Sequence, residues 1–172
     1  MLLLACVLGY ASSAWADARR AEAPKDPNAH YFHAFALGRY SQCISVGKAL
    51  AQGLGGKIKE SLLAAMKLQP KHADANIAYG AYQAEVIDKV GGLVAGMTYG
   101  AKKDGALEHF EKAIKLFPEA AIARIEYANG LILLFGKSRL AEATALYEAA
   151  AACRPADAME RLDVERAKAE LE

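Results

Sequence analysis

The same spacing of residues recurs three times ahead of a proline. Leu62, Ala65, Leu68 and Pro70 correspond to Phe110, Ala113, Leu116 and Pro118, and again to Tyr147, Ala150, Cys153 and Pro155. An apolar residue, an alanine three positions on and another apolar residue three beyond share one face of an α-helix. Proline then stops the helix, because it has no N–H to give to the next turn. A second element repeats upstream, as Phe35-Ala36-Leu37-Gly38, Ile77-Ala78-Tyr79-Gly80 and Ile125-Glu126-Tyr127-Ala128; its second and third copies are offset by 48 residues (80 to 128), the same offset that separates the first two of those prolines (70 to 118). Each unit therefore reads as helix A with a small residue that lets a partner helix approach, a loop, helix B, and a proline turn.

Composition agrees with helices. The 172 residues include 38 Ala but only 8 Ile, 6 Val and 2 Thr, so the best helix former is abundant and strand formers are scarce. The expected class is all-α. With the A-helix and B-helix positions in place, the chain resembles the tetratricopeptide repeat (TPR) family. In that alignment the B-helix small residue falls on Ile58, Ala106 and Ala143, the aromatic position on Leu62, Phe110 and Tyr147, and the second alanine on Ala65, Ala113 and Ala150. The resemblance covers residues 29–157 and implies a TPR-like α-solenoid of about three antiparallel helix hairpins, with ideal units of about 34 residues. Residues 158–172 are expected to form a C-terminal capping helix, because a solenoid's end needs one apolar and one polar face. Met159, Leu162 and Arg166 share one stripe of it.

The departures from the family are insertions between helices A and B. The small residues of the two helices stand 20, 26 and 15 positions apart, against about 12 in an ideal unit. The first insertion lies within Ser41–Lys57 and the second within Val86–Asp104. Both are apolar and Gly-rich rather than polar. Two readings fit: the insertions pack on one another, with Leu93, Val94 and Met97 against Ile44, Val46 and Leu50, or Val90, Leu93, Val94, Met97 and Tyr99 form an apolar lip over a groove.

The N-terminal region carries a different signal. Leu2–Leu8 is an apolar run followed by Ala14-Trp15-Ala16, the h-region and A-x-A site of a secretory signal peptide, with cleavage expected after Ala16. No Lys or Arg precedes the run. Leu3-Leu4-Ala5-Cys6 is an alternative lipobox that would anchor lipid at Cys6, and a packed N-terminal apolar helix is a third reading. The run is too short to span a bilayer, which takes about 20 apolar residues. Residues 17–28, charged and carrying Pro24 and Pro27, read as a flexible tether. After cleavage Cys43 and Cys153 remain, in the first and third units, and are expected as buried free thiols because non-adjacent repeats rarely bring Cα atoms within about 7 Å.

Little in the chain points to chemistry. A net charge of +1 leaves no basic field for nucleic acid, so protein recognition is the default. His30 and His33 stand three apart near Asp26, but a metal site needs three or four ligands, and they read as surface or helix-start histidines. Gly53-Leu54-Gly55-Gly56-Lys57 lacks the spacing and Ser/Thr of a phosphate loop, and no serine stands in a Gly-x-Ser-x-Gly elbow. No catalytic residue, cofactor or metal is expected. By resemblance, A-helix side chains line a concave groove, which nominates Asn76, Gln83 and Arg124 as partner contacts; Tyr79 and Tyr127 go to the core first. The expected function is a periplasmic adaptor that holds a peptide or protein segment. The alternative is a small-ligand or transporter-accessory protein whose insertions enclose a cavity.

Overall fold

The computed structural model describes residues 14–172. Among them there is no strand, and the chain is helical almost throughout. It divides into two compact units at Ala78/Tyr79, inside one helix. The leader run Leu2–Leu8 and Cys6 lie outside the described residues, and Ala16 sits buried in a helix over residues 14–22, α1. The segment expected as a tether is thus helical in its first part, and its Asp17 and Arg20 bond to side chains of the first unit.

In that unit α2 (Pro27–Gln42) starts with Pro27 at the first helical position and Asp26 accepting the N–H of Asn28 at 2.9 Å, the arrangement that satisfies an orphan donor at a helix start. It buries Ala29, His33, Ala34, Ala36, Leu37 and Tyr40 against α4 (Leu54–Leu68), which answers with Leu54, Ile58, Ser61, Leu62 and Ala65. The first insertion forms α3 (Val46–Ala51), capped by Ser45 and ended at Gly53, whose φ of 64° suits a residue without Cβ. Helix α5 (Ala73–Val90) follows; His72 Nδ1 accepts the N–H of Ala75 in its first turn, and His72 Nε2 meets the Asn28 amide oxygen at 3.2 Å.

The second unit holds the rest of α5, a short α6 (Gly92–Val94) running into a π-helical turn (Ala95–Tyr99), α7 (Lys103–Leu116), α8 (Ala121–Phe135), a 3₁₀ turn (Gly136–Arg139), α9 (Leu140–Ala151) and α10 (Ala158–Ala169). Helix α8 packs on α7, α9 and α10, and α10 also packs on α9. The core centres on Phe110, Ile125 and Leu131, surrounded mainly by alanines. Phe110 stacks on Tyr127 with centroids 5.3 Å apart, and α-carbons of Gly80 and Gly130 close on its ring: a Cβ at either would stand 2.9 and 2.5 Å from ring carbons. The close approach expected at the A-helix small residue is therefore to an aromatic ring at Gly80. At Gly38 an added Cβ would meet nothing within 4 Å among the described residues, so no equivalent close approach is seen there.

The repeated B-helix positions behave alike. Ile58, Ala106 and Ala143, then Leu62, Phe110 and Tyr147, then Ala65, Ala113 and Ala150 are all buried. Helices α4 and α7 end two residues before their prolines, but α9 stops at Ala151, so Cys153 lies in a turn. Neither Cys43 nor Cys153 is in a disulfide, as expected, but both are only half-buried. Helix α10 docks through Val164 and Ala167; Met159 and Leu162 face solvent, so the packed stripe is not the one the sequence nominated.

Candidate functional site

The nominated groove residues are occupied with internal bonds. Asn76, in the first unit, is fully buried and its Nδ2 donates to the His72 carbonyl at 2.8 Å. Gln83, in the second, is also buried: its Oε1 accepts the N–H of Lys102 at 3.2 Å, while its Nε2 has no partner. Lys102 is the N-cap residue of α7 and has no side-chain cap of its own. Gln83 therefore caps α7 from a neighbouring helix, and the glycine at 105 leaves room for it, since a Cβ there would stand 2.8 Å from Oε1 and push the amide aside. Arg124 is half-buried; its Nη1 donates to the Ala120 carbonyl at 3.3 Å and reaches Cys153 Sγ at 3.6 Å. Asn76 and Gln83 thus serve as helix-end ties, and of the three only Arg124 keeps a partly exposed side chain.

The second insertion is where apolar surface meets water. Leu93 is 77% exposed and Met97 81%, with Val94 beside them exposed as well. Val90 and Tyr99 instead turn inward and pack against the core, as do Ala95 and Ala101, which are buried. The backbone explains the division. Gly91 and Gly100 have φ of 79° and 67°, and the chain closes on itself through Ala101 N–H to the Ala95 carbonyl at 3.1 Å. The result is a small projecting loop with buried alanines at its base and Leu93 and Met97, one helical turn apart, at its crest. In the first insertion Val46 and Leu50 are exposed too, while Leu54 at its end is buried, so each insertion divides between residues that pack within its own unit and residues that face out. Turns of π-helix are rare and recur at functional positions.

Two polar networks escaped the sequence reading. In the first unit His33 is 1% exposed and not a surface residue. Its Nδ1 lies 2.7 Å from Ser61 Oγ and its Nε2 2.9 Å from Asp17 Oδ1; Arg20 donates to Ser61 Oγ at 3.3 Å. Asp, His and Ser are the elements of a nucleophilic relay, but Ser61 is 0% exposed within α4, so its hydroxyl ties helices together. The signal was present: Ala29, His33, Ala36, Leu37 and Tyr40 fall on one helical stripe, which puts His33 in the buried face. In the second unit Arg166 of α10 pairs with Glu126 of α8 at 3.3 Å, and Tyr147 of α9 donates to Asn129. Burial pushes the Glu126 carboxyl above its ordinary range, with Arg166 pulling it back in part.

Elsewhere, burial raises the Tyr82 phenol beside Tyr79 and Tyr99, and lowers His109, whose ring stands edge-on to Tyr79 at 4.8 Å. Among the described residues no group of three His, Cys, Asp or Glu is placed to hold a metal ion, and no helix is long and apolar enough to cross a membrane. In comparison with known proteins, no family model and no curated protein matches this sequence.

Proposed function

We propose that this chain is a non-enzymatic TPR-type adaptor, exported to the periplasm, that binds a peptide or protein segment. The equivalent burial of three sets of B-helix residues supports the repeat reading, and stacked helix hairpins are used chiefly for protein recognition. The observation that carries the binding reading is the exposed crest of Leu93 and Met97. Such side chains gain by burial against a partner, at about 25 cal/mol per Å² of apolar surface, and the fold gains nothing from them where they stand. The contact surface is accordingly assigned to Leu93, Val94 and Met97 in preference to Asn76 and Gln83. The same exposure weighs against a ligand cavity walled by these residues, since cavity walls face inward.

The test is affinity capture from a periplasmic extract with the wild type, the double variant Leu93→Asp/Met97→Asp, and Arg124→Ala. Loss of a specific partner in the double variant, at unchanged helicity, supports the crest. An identical set of partners for the wild type and both variants refutes it. Export is tested separately: the mature protein in the periplasmic fraction should begin at Asp17, and its absence from that fraction overturns the localisation.

A further inference from the structure

The His33 network is built so that one protonation state satisfies every member. Asp17 is a carboxylate and can only accept, so His33 Nε2 carries the hydrogen and donates to it at 2.9 Å. His33 Nδ1 is then an acceptor and takes the Ser61 hydroxyl at 2.7 Å. Ser61 Oγ keeps a lone pair for Arg20, which donates at 3.3 Å. The two ring nitrogens thus reach two different helices, α1 through Asp17 and α4 through Ser61, while the ring itself belongs to α2. Arg20 lies 3.8 Å from Asp17 as well, so the polar ties of α1 to the α2–α4 pair converge on one imidazole and the two charges beside it, next to the buried Ala16.

We propose that His33 is a proton-sensitive latch, which holds α1 on the α2–α4 pair while its ring is neutral and releases it when the ring takes a second proton. A proton on Nδ1 turns that nitrogen from acceptor to donor. Ser61 must then accept from both His33 and Arg20, and its own hydrogen loses the acceptor it had. It also places a full positive charge in a buried site next to the Arg20 guanidinium. The groups that face the ring are Asp17 and Arg20 from α1, His30 along α2, and the uncharged Ser61 hydroxyl from α4. Burial is the largest influence and disfavours the charged ring; Arg20 and His30 add to it, and Asp17 opposes it without overcoming it, so the ring titrates below its ordinary value of 6.5. With α1 released, burial and the Arg20 charge are removed together. The docked arrangement is therefore favoured at neutral pH, and it loses ground as pH falls through the ordinary histidine range toward the lowered one. The latch is independent of what the chain binds.

The measurement is hydrogen exchange of the full chain, followed by mass spectrometry, with protection factors corrected for the intrinsic pH dependence. Peptides covering residues 17–22, present whether or not the chain is cleaved after Ala16, should lose protection ~3-fold or more between pH 7.5 and pH 5, while peptides from α7 and α8 do not follow. His33→Gln should abolish that dependence. If His33→Gln leaves α1 unprotected at every pH, the ring is confirmed as the tie, and Arg20→Gln decides the proton's part: its loss of protection must be shallower than the wild type's. Asp17→Asn should make it steeper. An NMR titration of the His33 ring should give a midpoint below 6.5. Flat protection in the wild type, an equal fall in His33→Gln, a fall as steep in Arg20→Gln, or a midpoint at or above 6.5 would each overturn the latch.

Discussion

Substituting Gly130 by alanine sets two opposed effects against each other at a single atom. Gly130 lies inside α8, where alanine is favoured over glycine by about 1 kcal/mol through helix propensity. The added Cβ, however, would stand 2.5 Å from Phe110 Cε2 and 2.8 Å from Cζ. The ring has no retreat: it is fully buried, stacked on Tyr127, and approached by Gly80 from another side. Overpacking a filled core costs about 1–3 kcal/mol, and an overlap this severe belongs at the upper end. The net is a destabilisation of about 2 kcal/mol, or roughly 4–8 °C in Tm for a chain of this length. Gly38→Ala, in α2, is the matched control, because among the described residues its Cβ meets nothing within 4 Å; it should stabilise by about 0.5–1 kcal/mol. Thermal unfolding followed by far-UV circular dichroism separates the two signs. Phe110→Leu, combined with Gly130→Ala, should recover part of the loss, as coupled neighbours do. A Gly130→Ala protein as stable as the wild type would refute the ring-clamp reasoning, and so would an equal penalty in the Phe110→Leu background.

Other expectations come from the polar ties. Gln83→Ala orphans the Lys102 N–H at the α7 start and should cost about 1 kcal/mol in urea unfolding, with local exchange increased around residues 101–106. Tyr147→Phe removes the hydroxyl bonded to Asn129 and should also cost about 1 kcal/mol. Glu126 is favoured in its protonated form by burial, so its share of stability is present at low pH and lost as pH rises through its raised value. Glu126→Gln should remove that decline, seen as a flatter stability–pH curve than the wild type's as pH rises above the ordinary carboxylate range. Leu93→Asp/Met97→Asp should shift stability by no more than about 0.5 kcal/mol, because exposed positions without partners tolerate change.

The helices and their buried alanines were legible because helical periodicity is a local property. Leu62, Phe110 and Tyr147 announce a core face by spacing alone, and their burial follows. The polar residues were not legible in the same way. An asparagine or glutamine on an A helix suits a partner's backbone and this chain's own backbone equally well. What decides is whether an uncapped helix start lies within reach, as Lys102 does for Gln83, and that is a fact of three-dimensional placement. Residues 17–22 misled for a related reason: Asp17 and Arg20 look solvated until a buried His33 and Ser61 meet them. The α10 stripe erred on hydrophobicity: the bulkier Met159 and Leu162 are outside, while Val164 and Ala167 fit against α8 and α9.

The loop between Gly91 and Gly100 separates what the scaffold needs from what it displays. Its base is fastened by buried Ala95 and Ala101, by the Ala101-to-Ala95 backbone bond and by the Gln83 tie to Lys102. Its crest residues Leu93 and Met97 stand mostly in solvent. They can accordingly drift under mutation with little folding penalty passed to the helices beneath. A chain organised this way can vary its exposed apolar surface at little cost to its stability.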